Sequence, residues 1–439
     1  MPLIIVLLGI VLLLILIVVF KLNAFIAFVI VSLLVGISEG LPVIATVDAI
    51  KSGIGNIMSS LIIILGFGAM LGKLVADSGA AYRITTGLVD AFGIKNIQFA
   101  LMVTGFVVGI PMFYSVGFVI LVPLVFTMAA STKLPLLYVG IPMLASLSVT
   151  HGYLPPHPAP TAIVDMFQAD MGTTLIYGII VAIPAILVAG PLLSGYFKKY
   201  DPQPLKEFIG TETVAGQKTP SLGVSLVVAL SPVILIGFSA LANLWFEGDH
   251  PILVIANVLG NPSIAMLIAV LAAIYFLGIR NGHKMGELMN SITKGVSGIT
   301  MVLLIIAGAG AFKQVLIESG VSDYIAGLMK ESNMSPLFLA WLIAAVIRVC
   351  VGSATVAGLT SAGIAMPLVE SLDVSPELMV LAVGSGSLML SHVNDSGFWL
   401  FKEYFNLSIK ETLSTWTVME TTVSVMGLIG VLILNLIIN

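Results

Sequence analysis

Two short stretches of the chain place titratable and hydrogen-bonding side chains inside otherwise apolar runs. The first, "VTHGYLPPHPAP" (149–160), holds Thr150, His151 and His157 among four prolines; the second, "SHVNDSGFW" (391–399), holds Ser391, His392, Asn394 and Asp395. An imidazole titrates near pH 6.5, so such rings can pick up and release a proton across a physiological gradient. A carboxylate in the middle of a membrane helix costs about 2.5–3.5 kcal/mol on insertion scales and needs a partner or a proton. Asp395 therefore reads as a proton carrier or as a hydroxyl acceptor for a polyol. Its alternative is a helix N-cap, a task that Asn394 and Ser396 could share. His151 and His392 read as proton-coupling groups, or as neutral rings bonded to carbonyls that the break sets free. His157 has the same two readings, in a loop expected to approach water.

A second set of polar groups lies in two segments of unusual length. Residues 97–132 carry no charge and 336–369 carry only Arg348. As straight helices at 1.5 Å per residue each would be about 50 Å long, against a hydrocarbon core of roughly 30 Å. Both are interrupted near the middle, at "GIPMFYSVG" (109–117) and "CVGSATVAG" (350–358). The arms are short for spanning, so each segment is expected to be a re-entrant hairpin rather than two full spans. Irregular backbone at that depth survives only where it is buried in protein or lines a watery cavity. The tips then offer Tyr114, Ser115, Ser353 and Thr355 to a substrate, or merely satisfy their own helices. Arg348 could clamp a carboxylate through its planar fork, pair with Asp395, or snorkel to the surface. Glu420, within the last apolar run, is a weaker candidate for carrying a proton.

Composition fixes the class of molecule that must position these groups. The chain is 59% hydrophobic and 9% charged, with a mean hydropathy of +1.14. It repeats stretches of the roughly 20 apolar residues that a bilayer-spanning helix needs. The first of them, "MPLIIVLLGIVLLLILIVVF", lacks a basic leader and a cleavage site and is expected to be a retained helix. The single cysteine, Cys350, excludes an internal disulfide and a multi-cysteine metal site. No GxxxxGK[ST] or HExxH occurs, so neither ATP hydrolysis nor a zinc hydrolase is expected. "GFGAMLG" (66–72) has the wrong spacing for a dinucleotide loop and suits close helix packing instead. A net charge of −4 spread over many joints names no partner, and neither nucleic acid, metal nor cofactor is expected. The reading is an all-α integral membrane protein with about ten spanning helices plus the two hairpins. A membrane-embedded enzyme and a channel remain the alternatives from other classes.

Lysine and arginine placement orients it. The basic joints 197–220 and 280–294 both fall on the cytoplasmic side, and the joint containing "EGDH" (247–250) falls outside. A constant offset of 241 residues then relates the two long segments. It pairs Gly117 with Gly358, Asp77-Ser78-Gly79 with Glu318-Ser319-Gly320, and Thr150-His151 with Ser391-His392. Because the charge pattern puts the Asp77 loop inside and the Glu318 loop outside, the halves are expected to be inverted repeats. The first would be 1–196, with hairpin 97–132 and broken helix 134–170. A cytoplasmic linker, 197–220, leads to the second, 221–439, with hairpin 336–369 and broken helix 376–399. Broken helices in such repeats aim their N-terminal amides at an anion near the bilayer midplane.

"VTHGYLPPHPAPTA" (149–162) and "SHVNDSGFWLFKEYF" (391–405) resemble the two signature stretches of the gluconate permease family, bacterial proton symporters for sugar acids. "LPLLYVGIPMLASLSVTHG" (134–152) and "VGSATVAG" (351–358) are similar to it as well. The resemblance implies gluconate or a close aldonate as substrate, protons as the coupling ion, a multi-pass location in the bacterial cytoplasmic membrane, and an elevator-type homodimer. Another small organic anion or D-serine is the alternative substrate. The chain departs from the family pattern at Ser115, where several members carry an acid, so coupling is expected to rest elsewhere here.

Overall fold

The computed structural model describes residues 2–200, 202, 219–246, 250–321, 334–371 and 374–438. Most of the expected linker 197–220 and part of the outer joint 247–250 lie outside the described residues. Within them the chain is helical, with no strand. The first half comprises α1 Pro2–Val18, α2 Ala24–Ser38, α3 Val43–Asp77, α4 Ala80–Phe92, α5 Ile97–Gly109, α6 Tyr114–Thr132, α7 Leu136–Tyr153, α8 Pro158–Met166 and α9 Met171–Lys199. The second comprises α10 Leu222–Trp245, α11 Pro251–Gly260, α12 Pro262–Asn281, α13 Met285–Glu318, α14 Pro336–Val351, α15 Ala354–Ser371, α16 Pro376–Gly386, α17 Ser396–Tyr404 and α18 Ile409–Ile438.

Among the described residues six helices are individually long and apolar enough to cross a membrane: α3, α9, a 22-residue part of α10, α12, α13 and α18. Several others, among them α1, α2, α14 and α15, are apolar but shorter. The two long helices exceed their apolar cores, 57–76 and 297–317, because each begins in a polar stretch that continues the same helix. Thus α3 runs for 35 residues and α13 for 34. They pack against each other along much of their length. A Cβ on Gly53 would collide with the carbonyl of Gly310, and one on Gly295 with that of Ala69. Small residues let helix backbones approach closely where lipid supplies no hydrophobic drive. Position rises along α3 as it falls along α13, so the pair is antiparallel. Ser291 at the start of α13 donates to Asp77 at the end of α3, in the same sense.

Each overlong segment parts into two helices, α5 and α6 at residues 110–113, α14 and α15 at 352–353. Gly352 makes the second turn at φ +80°, a left-handed conformation, and a Cβ there would strike the carbonyl of Asn394. Only glycine meets both demands without strain. The polar stretch between α3 and α5 is not a simple joint. It forms α4, which meets α5 at 109°. Further along, α5 packs on α7 and α14 on α16, while α16 and α9 both lie against α18.

Candidate functional site

Both breaks are true interruptions. The α7 helix stops at Tyr153, an extended turn with a cis Pro155–Pro156 bond follows, and Pro158 opens α8 at its first turn. Proline is favoured there because its missing N–H has no intrahelical acceptor. In the second half α16 ends at Gly386 and α17 starts at Ser396. Asp395 caps α17, accepting the Gly397 amide at 3.0 Å. The capping alternative for Asp395 is therefore realised in the geometry, alongside other contacts.

A cavity of about 280 Å³ opens where breaks and tips come together. The first tip contributes Phe113, Tyr114 and Ser115, and the second Gly352, Ser353 and Thr355. His151 and Pro158 reach it from the first break, Asp395, Ser396 and Gly397 from the second. Arg348, Ser148, Trp416 and Glu420 complete the polar wall. Arg348 is only 3% exposed, and its Nη2 donates to Asp395 Oδ2 at 2.5 Å. Ser391 also donates to that carboxylate, and the Trp416 indole donates to Ser391 at 2.8 Å. Asp395 thus holds a guanidinium, a hydroxyl and an amide. Arg348 keeps two buried nitrogens, Nε and Nη1, without a partner. A guanidinium presents its donors in a planar fork suited to a carboxylate. Unsatisfied buried donors beside a polar cavity are what an anionic ligand would complete.

The remaining sequence candidates divide. His151 lines the cavity, 5.3 Å in ring separation from His157 and 6.2 Å from Tyr114, and its Nδ1 has no partner. Tyr114 likewise keeps a buried, unpartnered hydroxyl. His157 does not approach water. It is 3% exposed, and its Nε2 lies 2.6 Å from the Gly109 carbonyl at the end of α5. Four prolines and the turn fold that ring inward under α5, where a freed carbonyl needs a donor. His392 sits 2.9 Å from the Val349 carbonyl, and Asn394 donates to the same oxygen at 2.8 Å. In both places, then, a side chain from the break stitches a last carbonyl of the helix before the turn, α5 or α14. Thr150 bonds the Leu147 carbonyl at 3.0 Å and is fully buried outside the cavity lining. Ser391 acts on Asp395 from behind.

Three residues of the polar wall, Glu420, Ser148 and Trp416, carried little or no signal in sequence. Glu420 is 2% exposed and accepts the Ser148 hydroxyl at 2.6 Å. An acid within an apolar run marked it as unusual, but nothing in the spacing joined it to the breaks. Ser148 gave no signal at all. Among the described residues no three His, Cys, Asp or Glu side chains gather as a metal site.

Solved structures share this architecture. The YdaH transporter of Alcanivorax borkumensis matches with a TM-score of 0.68 at 16% identity, over 93% of this chain and 97% of that one. MtrF of Neisseria gonorrhoeae, from a class of antimetabolite efflux pumps, matches with a TM-score of 0.63 at 15% identity, over 94% of each chain. At such identities the likeness concerns the fold, which is that of multi-helix membrane transporters. Sequence narrows the class. The pattern of the GntP family permeases matches residues 1–437. A high-affinity gluconate transporter of Escherichia coli K12 is 52% identical over the full length of both chains. A Gnt-II system L-idonate transporter of the same strain is 50% identical and a gluconate permease of Bacillus subtilis 47%, again over both full lengths. The chain belongs to the GntP permease family and is a multi-pass protein of the inner membrane.

Proposed function

We propose that this protein imports gluconate, or a closely related sugar acid, by proton symport. The observation that carries the reading is the buried Arg348 guanidinium on the wall of a polar cavity lined by hydroxyl groups, with two of its nitrogens unpartnered. A sugar acid at neutral pH offers one carboxylate and a run of hydroxyls. The carboxylate would take the Nε and Nη1 donors. Ser115, Tyr114, Ser353 and Thr355 would serve the hydroxyls, with His151 beside them. The relatives named for gluconate and for L-idonate make an aldonate the favoured substrate class.

The proposed transport cycle is alternating access by an elevator-type movement. The hairpins 97–132 and 336–369 and the two broken helices would travel together, past a scaffold that includes the antiparallel pair α3 and α13. That pairing, and the matching element boundaries at an offset of 241 residues, support two inverted repeats divided at the 197–220 linker. A homodimer is proposed on the family resemblance alone. One proton carried with one monovalent anion moves no net charge, so a pH difference by itself should drive uptake.

Reconstitution tests this. Proteoliposomes holding the purified protein should accumulate labelled gluconate when the outside is made acidic, and dissipating the pH difference should stop accumulation. Failure of an imposed pH difference to drive uptake would contradict the reading. L-idonate added as competitor decides the second reading: uptake of labelled L-idonate at lower concentration than gluconate would make it the preferred substrate.

A further inference from the structure

We infer that Glu420, rather than Asp395, carries the coupling proton, and that its protonation is what allows the cavity to accept an anion. This deepens the proposed symport of a sugar acid and rests on it. The two acids of the cavity are held very differently. Asp395 is met by Arg348, Ser391 and the Gly397 amide. Three donors, one of them cationic, already engage its oxygens. Glu420 makes no ion pair among the described residues, and its hydrogen bond comes from a neutral hydroxyl, that of Ser148, itself 2% exposed. A buried carboxylate without a counter-charge is expensive, and such a group normally neutralises itself by binding a proton. The charged and titratable groups facing Glu420 from the surrounding helices are Arg348, Asp395, His151, Tyr114 and Tyr153. Tyr153 donates to the Val423 carbonyl on α18, so its hydroxyl is already engaged.

The charge count in this enclosed space supplies the coupling. With Glu420 ionised, the two acids exceed the one guanidinium by one negative charge. A substrate carboxylate would then enter against a net repulsion. With a proton on Glu420, Arg348 and Asp395 cancel, and the free half of the guanidinium meets the anion with no opposing excess. Proton and sugar acid therefore favour each other's binding, and the coupling is reciprocal. The proton arrives from water on one face, sits on a Glu420 carboxyl oxygen during translocation, and leaves to water on the other face.

The test uses the full-length protein in proteoliposomes, as wild type, Glu420→Gln and Glu420→Asp, with labelled gluconate as probe. Wild-type affinity should tighten by up to about tenfold for each unit the pH falls, the limit for one linked proton. Glu420→Gln should still exchange gluconate in counterflow, should lose accumulation driven by a pH difference, and should bind with an affinity that no longer follows pH. Glu420→Asp should recover pH-driven accumulation. Uphill uptake by Glu420→Gln, a surviving pH dependence of its affinity, or absence of counterflow in a monodisperse preparation each overturns the inference. Should Glu420→Gln not purify as a monodisperse protein, Ser148→Ala decides. It should displace the pH at which affinity changes, and an undisplaced profile rejects the role of Glu420. Failure of the wild type to show pH-driven uptake would instead sink the symport reading, whatever the variants do.

Discussion

Arg348 and Asp395 are 47 residues apart in sequence and 2.5 Å apart in space, and each settles a debt of the other. A guanidinium 3% exposed needs a counter-charge, and a carboxylate capping α17 needs more than one amide. Asp395→Asn removes the charge and keeps the shape. Removing one partner of a buried pair leaves the other uncompensated, at about 3–5 kcal/mol. The variant should therefore unfold at a lower temperature in detergent, and added gluconate should recover part of the loss by lending its own carboxylate. Thermal unfolding followed by the fluorescence of Trp416 and its neighbours measures this; an unchanged midpoint would argue that the pair does not bear on stability. Asp395 was legible in sequence because an acid inside an apolar run is costly wherever it lies. Its partner was one of three options for Arg348, since a sequence shows the need for a counter-charge and not its source. Glu420 and Ser148 stand 272 residues apart, and no local pattern connects them.

At the scale of elements, the length of the apolar runs was the informative signal. Segments 97–132 and 336–369 were too long for one crossing, and the glycines near their centres, with Pro111 in the first, marked where the helices part. Helix α4 was not legible, because its apolar face alternates with Arg83 and Asp90 and the stretch reads as a polar joint. The extensions of α3 and α13 were missed for the same reason, since hydropathy sees the lipid-facing part of a helix and not its whole length. The turn at Gly352 gives the element-scale prediction. Gly352→Ala must hold an L-residue at φ +80° and displace the Asn394 carbonyl, which breaks the contact between the second tip and the second break. Gluconate counterflow by this variant should fall to background while Gly55→Ala, whose added methyl meets open space, transports normally. Equal counterflow by the two variants would contradict the role given to the turn.

At the scale of the molecule the two longest described helices, α3 and α13, cross antiparallel, and the proposed movement makes a testable distinction between contacts within a body and contacts between bodies. Asp77 and Ser291 join α3 to α13, both assigned to the scaffold. Lys313 on α13 donates to the Met166 carbonyl at the end of α8, across the boundary with the parts proposed to move. In a Cys350→Ser background, paired cysteines replacing Asp77 and Ser291 should be cross-linked by a short bifunctional maleimide without arresting transport. Cross-linking a pair that replaces Met166 and Lys313 should arrest it. Arrest by the first pair, or continued transport with the second fully cross-linked, would rule out the assigned division. Sequence suggested the proposed halves through a faint repeat whose matches fell on equivalent features. It could not show that the breaks and tips meet in one cavity, because that depends on helix packing between residues hundreds of positions apart.

Arg348 as the seat of the substrate carboxylate is the claim on which the rest depends, and equilibrium binding of labelled gluconate to purified protein tests it most directly. Loss of charge-assisted hydrogen bonds costs about 1.5–3 kcal/mol, so Arg348→Gln should bind roughly ten- to a hundredfold more weakly than wild type. A folded, monodisperse Arg348→Gln that binds gluconate as tightly as wild type would contradict the account.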